Sequence, residues 1–392
     1  MKFVYLIVVL FFISLNLRPS ITSIGPLLDL IQRDLNMNGV AVSMLTTLPV
    51  FCMGLFSVLA IRFNRRIGIE WSLLIAMLCI LAATFMRIYV SEPILLVSTA
   101  LFAGIGIGIA GPLVSGFIRK HFPQRPFMAS VYSVSMVIGA AVASSLSVPL
   151  FHQLNDSWQK SLSFWSILAL IAAVLLVPLV KSEKRGLPSG QPQKVSVRDR
   201  RVRVLMIFFG CMAAMFYSIT AWLAPIVQTM GFPRSESGYI LTLFTLIQIP
   251  VSFLIPFLAG KYQQKKLWLL ICCASEFIGV SLLLAGASPV VATLFLGLGA
   301  GGLFPLALLL PIQESNNAEE ATAWAAMTQF VGYLLGSFGP LLVGFTKDMF
   351  HSFTPALAGM LVVIALMTLT VLQIGKNSAT RIKQKANSSR SQ

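Results

Sequence analysis

A chain of 392 residues that is 57% hydrophobic and 11% charged, with mean hydropathy +0.85, is built for lipid and not as a soluble domain with a large core. Its net charge of +16 is topology signal plus attraction to anionic headgroups, which excludes a nucleic-acid partner. The five cysteines all lie in apolar stretches without ligand-type spacing, which excludes a disulfide framework and a metal site.

A membrane-crossing helix needs about 20 mostly apolar residues. Twelve such stretches follow one another, centred near Leu15, Phe51, Cys79, Ile105, Ile138, Leu170, Met215, Ile249, Ser275, Ala300, Gly332 and Val363. The first opens with Lys2 and a run from Phe3 to Ile13 that has the look of a secretory signal. The run continues past Asn16 and Arg18 with no small-x-small cleavage site, so it is expected to be an uncleaved span. Arg18 is the informative residue. It stands roughly 22 Å of helix into its span, too deep to snorkel easily to the near surface. Such a guanidinium either binds an anion in the protein interior or is a structural group held by carbonyls or a carboxylate.

Further along, the fourth and tenth stretches repeat each other. Phe102, Gly104, Gly106, Gly108 and Pro112 fall in the same register as Phe295, Gly297, Gly299, Gly301 and Pro305. Two six-span repeats of even length keep the same orientation, with a substrate site expected near the midplane between them. Both glycine runs also satisfy Gly-x-Gly-x-x-Gly, but inside membrane spans that pattern means close helix packing, and no cofactor is expected. The other polar groups within spans are Gln248, Gln329 and Glu276. Glu276 is either a proton-carrying acid or a neutral packing group. Tyr132, Tyr217, Trp222, Phe304 and Tyr333 supply aromatic surface. Trp222, beside Pro225, suits a flat substrate across from Arg18 or else an interfacial belt.

The basic residues orient the chain. With a cytoplasmic N-terminus, the inside connectors and tail hold 23 of the 29 Lys and Arg, and the outside ones hold Arg33, Arg87, Lys160, Arg234 and Lys347. One inside connector departs, with Glu314, Glu319 and Glu320 and no base. The expected organisation is a six-helix bundle over 1–181, a cytoplasmic linker over 182–200, a second bundle over 201–375 and a basic cytoplasmic tail over 376–392. There is no Walker A, Gly-x-Ser-x-Gly or His-Glu-x-x-His pattern, so an enzyme is not expected. Energy for transport then comes from an ion gradient or the solute's own gradient. A small-molecule substrate, membrane lipid and protons are the expected partners of a monomer. An anion channel would need polar rings along a pore, which one Arg does not provide.

Several motifs stand together along the chain: Leu15-Asn16-Leu17-Arg18-Pro19 with Gly25-Pro26-Leu27-Leu28, Leu45-Thr46-Thr47-Leu48-Pro49, Ile118-Arg119-Lys120-His121-Phe122, Trp222-Leu223-Ala224-Pro225, and Gln329 to Leu335 with Gly339-Pro340. Together they resemble the major facilitator superfamily, and within it the cyanate permease and 2-nitroimidazole transporter group. The resemblance implies an all-α membrane protein of twelve transmembrane helices in two parallel repeats. It implies a secondary carrier in the plasma membrane, working by alternating access on a compact anion or a planar heterocycle. The candidate substrate-binding set read from the spans themselves is Arg18, Asn16, Tyr132, Tyr217, Trp222, Gln248, Phe304, Gln329 and Tyr333, with Glu276 a candidate for proton coupling. Two departures stand out. Arg65-Arg66-Ile67-Gly68 lacks the acid of the superfamily's Asp-Arg-x-Gly, and the fourth span lacks the Arg of proton-coupled drug exporters. Both departures weaken a proton-coupled multidrug efflux reading, which is the alternative carrier reading.

Overall fold

The computed structural model describes all residues except 1, 38, 124, 126–127, 183–198, 316 and 389–392. The expected linker over 182–200 thus lies almost wholly outside the described residues, as does the end of the basic tail. All regular structure among the described residues is helical. Among the described residues, eleven helices are long and apolar enough to cross a membrane, and a bent pair supplies a twelfth. The first six spans are Phe3–Leu27, the pair Thr47–Ser57 and Leu59–Ile67, Ile69–Tyr89, Pro93–His121, Met128–Gln153 and Trp158–Lys181. The second six are Arg200–Thr229, Glu236–Tyr262, Lys265–Leu284, Pro289–Glu314, Ala318–Phe350 and Thr354–Ile374. The twelve stretches centred from the sequence each fall within one of these.

The second span bends by 51° at Val58. Ser57 is the local cause: its single hydroxyl proton is shared between Gly54 O at 2.7 Å and Ala326 O at 3.0 Å, drawing the preceding turn out of the regular ladder. The acidic connector before the eleventh span also has a local explanation. Glu319 and Glu320 occupy that helix's first turn, where negative charge meets the positive end of the helix dipole, and Asn317 Oδ1 accepts from Glu320 N at 2.8 Å.

The chain divides into two compact units. One comprises Met1–Lys194 with Pro311–Leu334, the other Val195–Leu310 with Leu335–Gln392. Within the first, the first span packs on the fifth and sixth, and the second and third pack on the fourth. Tyr5 donates its hydroxyl to Leu175 O, and an apolar cluster of Ile24, Leu27, Ile31, Leu45, Leu96 and Trp158 closes one end. Within the second unit, the seventh and ninth spans both pack on the twelfth.

The repeated glycines carry the same packing logic in each unit. A Cβ on Gly104 would lie 2.7 Å from Pro49 Cα, and one on Gly108 2.9 Å from Cys52 O, both on the second span. Gly297 and Gly301 approach Ile247 and Gln248 of the eighth span in the same way. The glycine between each pair faces elsewhere: Gly106 meets Ile80 and Ala76 of the third span, and Gly299 meets Glu276 and Cys272 of the ninth. Small residues let these backbones approach where lipid offers no hydrophobic drive for association.

Candidate functional site

Arg18 sits where the first span is not a helix. Regular helix runs from Lys2 to Leu15, a turn covers 16–18, and helix resumes over Pro19–Thr22 before breaking again at Gly25–Leu27. Proline explains the first break. It lacks an N–H for the Leu15 carbonyl, and its ring disfavours helical geometry at the preceding residue. Arg18 accordingly has φ −120° and ψ −39°, and its carbonyl accepts from Ile21 N and Thr22 N, both at 3.0 Å. The residue is 6% exposed. Tyr132, another expected site residue, is buried on the fifth span, which packs on the first both before and after the break.

Two neighbours of this break escaped sequence reasoning. The carbonyl stranded by Pro19 is met by Gly139 of the fifth span, where a Cβ would lie 2.3 Å from Leu15 O. Only a residue without a side chain admits that approach. The second is Arg87, expected in an outside connector on charge counting. It is instead fully buried in the last turn of the third span, with Nη2 donating to Ser20 O at 2.8 Å and Nε to Thr99 Oγ1 at 3.3 Å. A hydropathy window reads such an arginine as a span boundary, because its two acceptors lie 67 and 12 residues away.

The remaining expected residues of the first unit are Asn16, Gln329 and Tyr333, all buried. Asn16 Nδ2 donates to Phe12 O at 2.8 Å and to Leu168 O at 2.9 Å, so its amide hydrogens tie the break to the sixth span. Gln329 faces Gly111 of the fourth span, where a Cβ would lie 2.7 Å from Oε1. At another end of this unit, Glu70 is buried and receives Lys120 Nζ at 2.7 Å and His121 Nε2 at 2.8 Å. The connector that lacks an acid before Gly68 therefore has one two residues after it, holding the basic exit of the fourth span.

In the second unit, Tyr217 and Phe304 are brought together through Phe216, whose ring centroid lies 5.4 Å from one and 5.7 Å from the other. Gln248 is buried and donates to Phe244 O at 3.0 Å. Trp222 belongs to a different group. Its Nε1 donates to Pro340 O at 2.9 Å, and Lys347 Nζ lies 5.6 Å from its ring and 5.4 Å from that of Phe353. Beside this group is a cavity of about 290 Å³ lined by Thr229, Lys347, His351, Phe353 and Thr354, among others. Glu276 is buried against Gly299, and its Oε2 has no hydrogen-bond partner.

Comparison with known proteins fits this architecture. The family model described as Major Facilitator Superfamily matches residues 4–340. The chain is 34% identical over 355 residues to the uncharacterized transporter YycB of Bacillus subtilis (strain 168), covering 89% of this chain and 88% of that one. It is 30% identical over 386 residues to the 2-nitroimidazole transporter of Escherichia coli (strain K12), covering 96% and 97%. The cyanate transport protein CynX of the same organism is 28% identical over 347 residues, covering 88% and 90%. The proton:xylose symporter XylE shares the fold, with TM-score 0.75, 15% identity and 95% of each chain covered. Twelve spans, the glycine repeat carried by two of them and a family match over most of the chain lead to one assignment: this chain belongs to the Major Facilitator Superfamily.

Proposed function

We propose that the chain is a secondary carrier that moves a small anionic or planar solute across the plasma membrane by alternating access, with both termini cytoplasmic. The observation that carries this reading is Arg18: a buried guanidinium on non-helical backbone in the middle of a span. An unwound segment inside a membrane is tolerated where it is covered by protein or lines a cavity, and carriers use such breaks to bind charged solutes. Relatives that transport cyanate or 2-nitroimidazole supply one probe of each kind. The planar alternative rests on the Tyr217, Phe216 and Phe304 group, where Phe216 meets Tyr217 edge-on and Phe304 at a tilt, an aromatic surface suited to a flat heterocycle. Tyr132, Gln248, Gln329 and Tyr333 supply polar and aromatic groups to the same reading, and Glu276 is the candidate proton carrier.

Uptake of labelled cyanate and of neutral 2-nitroimidazole into proteoliposomes tests it. Wild type is expected to take up cyanate saturably, and Arg18→Ala to lose at least about 100-fold of that rate while inserting normally. A fall of that size corresponds to about 2.7 kcal/mol, the scale of one charge-assisted contact. Undiminished uptake by Arg18→Ala would make Arg18 a structural residue. Glu276→Gln is expected to abolish any dependence on a pH gradient. A wild-type pH response in that variant would leave Glu276 as packing.

A further inference from the structure

Arg87 is the most anomalous side chain of the molecule outside the groups already assigned. It is fully buried, its Nη1 reaches no acceptor, and among the described residues no carboxylate lies within ion-pair distance of it. The hydroxyls of Ser20 and Ser23, on the same stretch of the first span, are also buried without a partner. A buried cation lacking a counter-charge is expensive to keep, and leaving polar atoms unsatisfied around it adds to the expense.

What Arg87 does hold is the backbone next to Arg18. In an unbroken helix Ser20 O would accept from Ile24 N, but that amide bonds Ile21 O at 3.4 Å. The carbonyl thus freed receives Arg87 Nη2 at 2.8 Å. The segment so held, Pro19–Thr22, is a single turn of helix with Arg18 at its N-terminal cap. A neutral amide would satisfy Ser20 O equally well, so the hydrogen bond alone does not account for a full charge at this place. Thr99 Oγ1 orients the guanidinium from the fourth span without neutralising it.

We propose that Arg87 is a positioning residue for Arg18: it fixes the Pro19–Thr22 turn through the Ser20 carbonyl, and its uncompensated charge strengthens the hold of that site on an anionic solute. This rests on Arg18 being the anion ligand. Within a low-dielectric bundle a cation anchored two residues away is only weakly screened, so its field reaches a bound anion and leaves a neutral solute untouched.

The test is concentration-dependent uptake of cyanate and of neutral 2-nitroimidazole into proteoliposomes by wild type, Arg87→Gln, Arg87→Lys and Thr99→Val, with thermal unfolding in detergent measured alongside. Arg87→Gln is expected to raise KM for cyanate at least about tenfold, with Vmax changed less than about threefold and any nitroimidazole uptake unchanged. Arg87→Lys, which keeps the charge, and Thr99→Val, which loosens the fork, are each expected to stay within about threefold of the wild-type KM. If Arg87→Gln folds poorly, Arg87→Lys decides: a KM raised tenfold or more despite its retained charge would overturn the proposal. A wild-type KM in Arg87→Gln would overturn it too, making Arg87 a helix cap only. Equal losses for cyanate and nitroimidazole would overturn it as well. Arg18→Ala separates the two claims. Cyanate uptake lost in Arg18→Ala but kept at wild-type KM in Arg87→Gln defeats this proposal alone. Cyanate uptake indifferent to Arg18→Ala defeats the carrier reading on which it rests.

Discussion

Proline and glycine between them build the site at the scale of single residues. Pro19 removes the donor that the Leu15 carbonyl needs, and Gly139 lets the fifth span close over that carbonyl. A methyl group there would sit 2.3 Å from Leu15 O, against backbone that cannot swing aside. Gly139→Ala is therefore expected to lower stability by about 1–3 kcal/mol, the usual cost of overpacking, read as a lower unfolding midpoint in detergent. Gly359→Ala is the control. Nothing lies within 4 Å of a Cβ at that helical position, so alanine should leave the midpoint unchanged or raise it. Asn16 shows how a residue's role is decided by its partners. Its place one turn before Pro19 is plain in the sequence, but its two carbonyl acceptors, one of them 152 residues away, are not.

At the scale of helices, the repeat becomes a statement about which spans touch. Gly104 and Gly108 present one face to the second span, and Gly297 and Gly301 present the equivalent face to the eighth. The likeness extends to the carbonyls of Phe102 and Phe295, which accept from Cys79 Sγ and Ser275 Oγ of the adjacent spans. The two copies differ in tolerance. Gly104 meets the Pro49 backbone at 2.7 Å, whereas Gly297 meets the Ile247 side chain at 3.0 Å. Gly104→Ala is expected to cost about 1–3 kcal/mol and Gly297→Ala less than about 1 kcal/mol, by thermal unfolding of the two variants side by side. Equal losses would show that the second span yields as readily as the eighth. Helix ends add a further lesson: the buried Glu70 carboxylate joins the start of the third span to the end of the fourth. Its position just past Gly68 is visible in the sequence, but its role requires knowing that Lys120 and His121, some 50 residues on, return to it.

For the whole molecule, charge is the property that sets orientation in the membrane. The connectors proposed to face the cytoplasm carry most of the lysine and arginine, and loops of this length obey that bias. Moving Arg87 from the connectors into the protein interior sharpens the asymmetry, because it removes one of the five outside charges. Phosphatase fusions after Asn155, Ala287 and Ser352 are expected to be active outside the cytoplasm. Fusions after Gly190 and at the C-terminus are expected to be inactive and, as fluorescent proteins, bright. The opposite pattern would invert the proposed topology.

Composition and hydropathy by themselves determined that the chain spans a membrane, how many times and where, because burial in lipid demands a run of apolar residues that is local in sequence. The glycine repeat, also local, pointed to two six-span repeats. Arg18 stood out for the same reason, as a charge in the wrong solvent. Tertiary structure alone decided which partners meet: Arg87 with Ser20, Gly139 with Leu15, Glu70 with Lys120 and His121, and Trp222 with Lys347 and Phe353. Those contacts join residues far apart in the chain. They are fixed by how helices pack, and no local pattern of hydropathy encodes that packing.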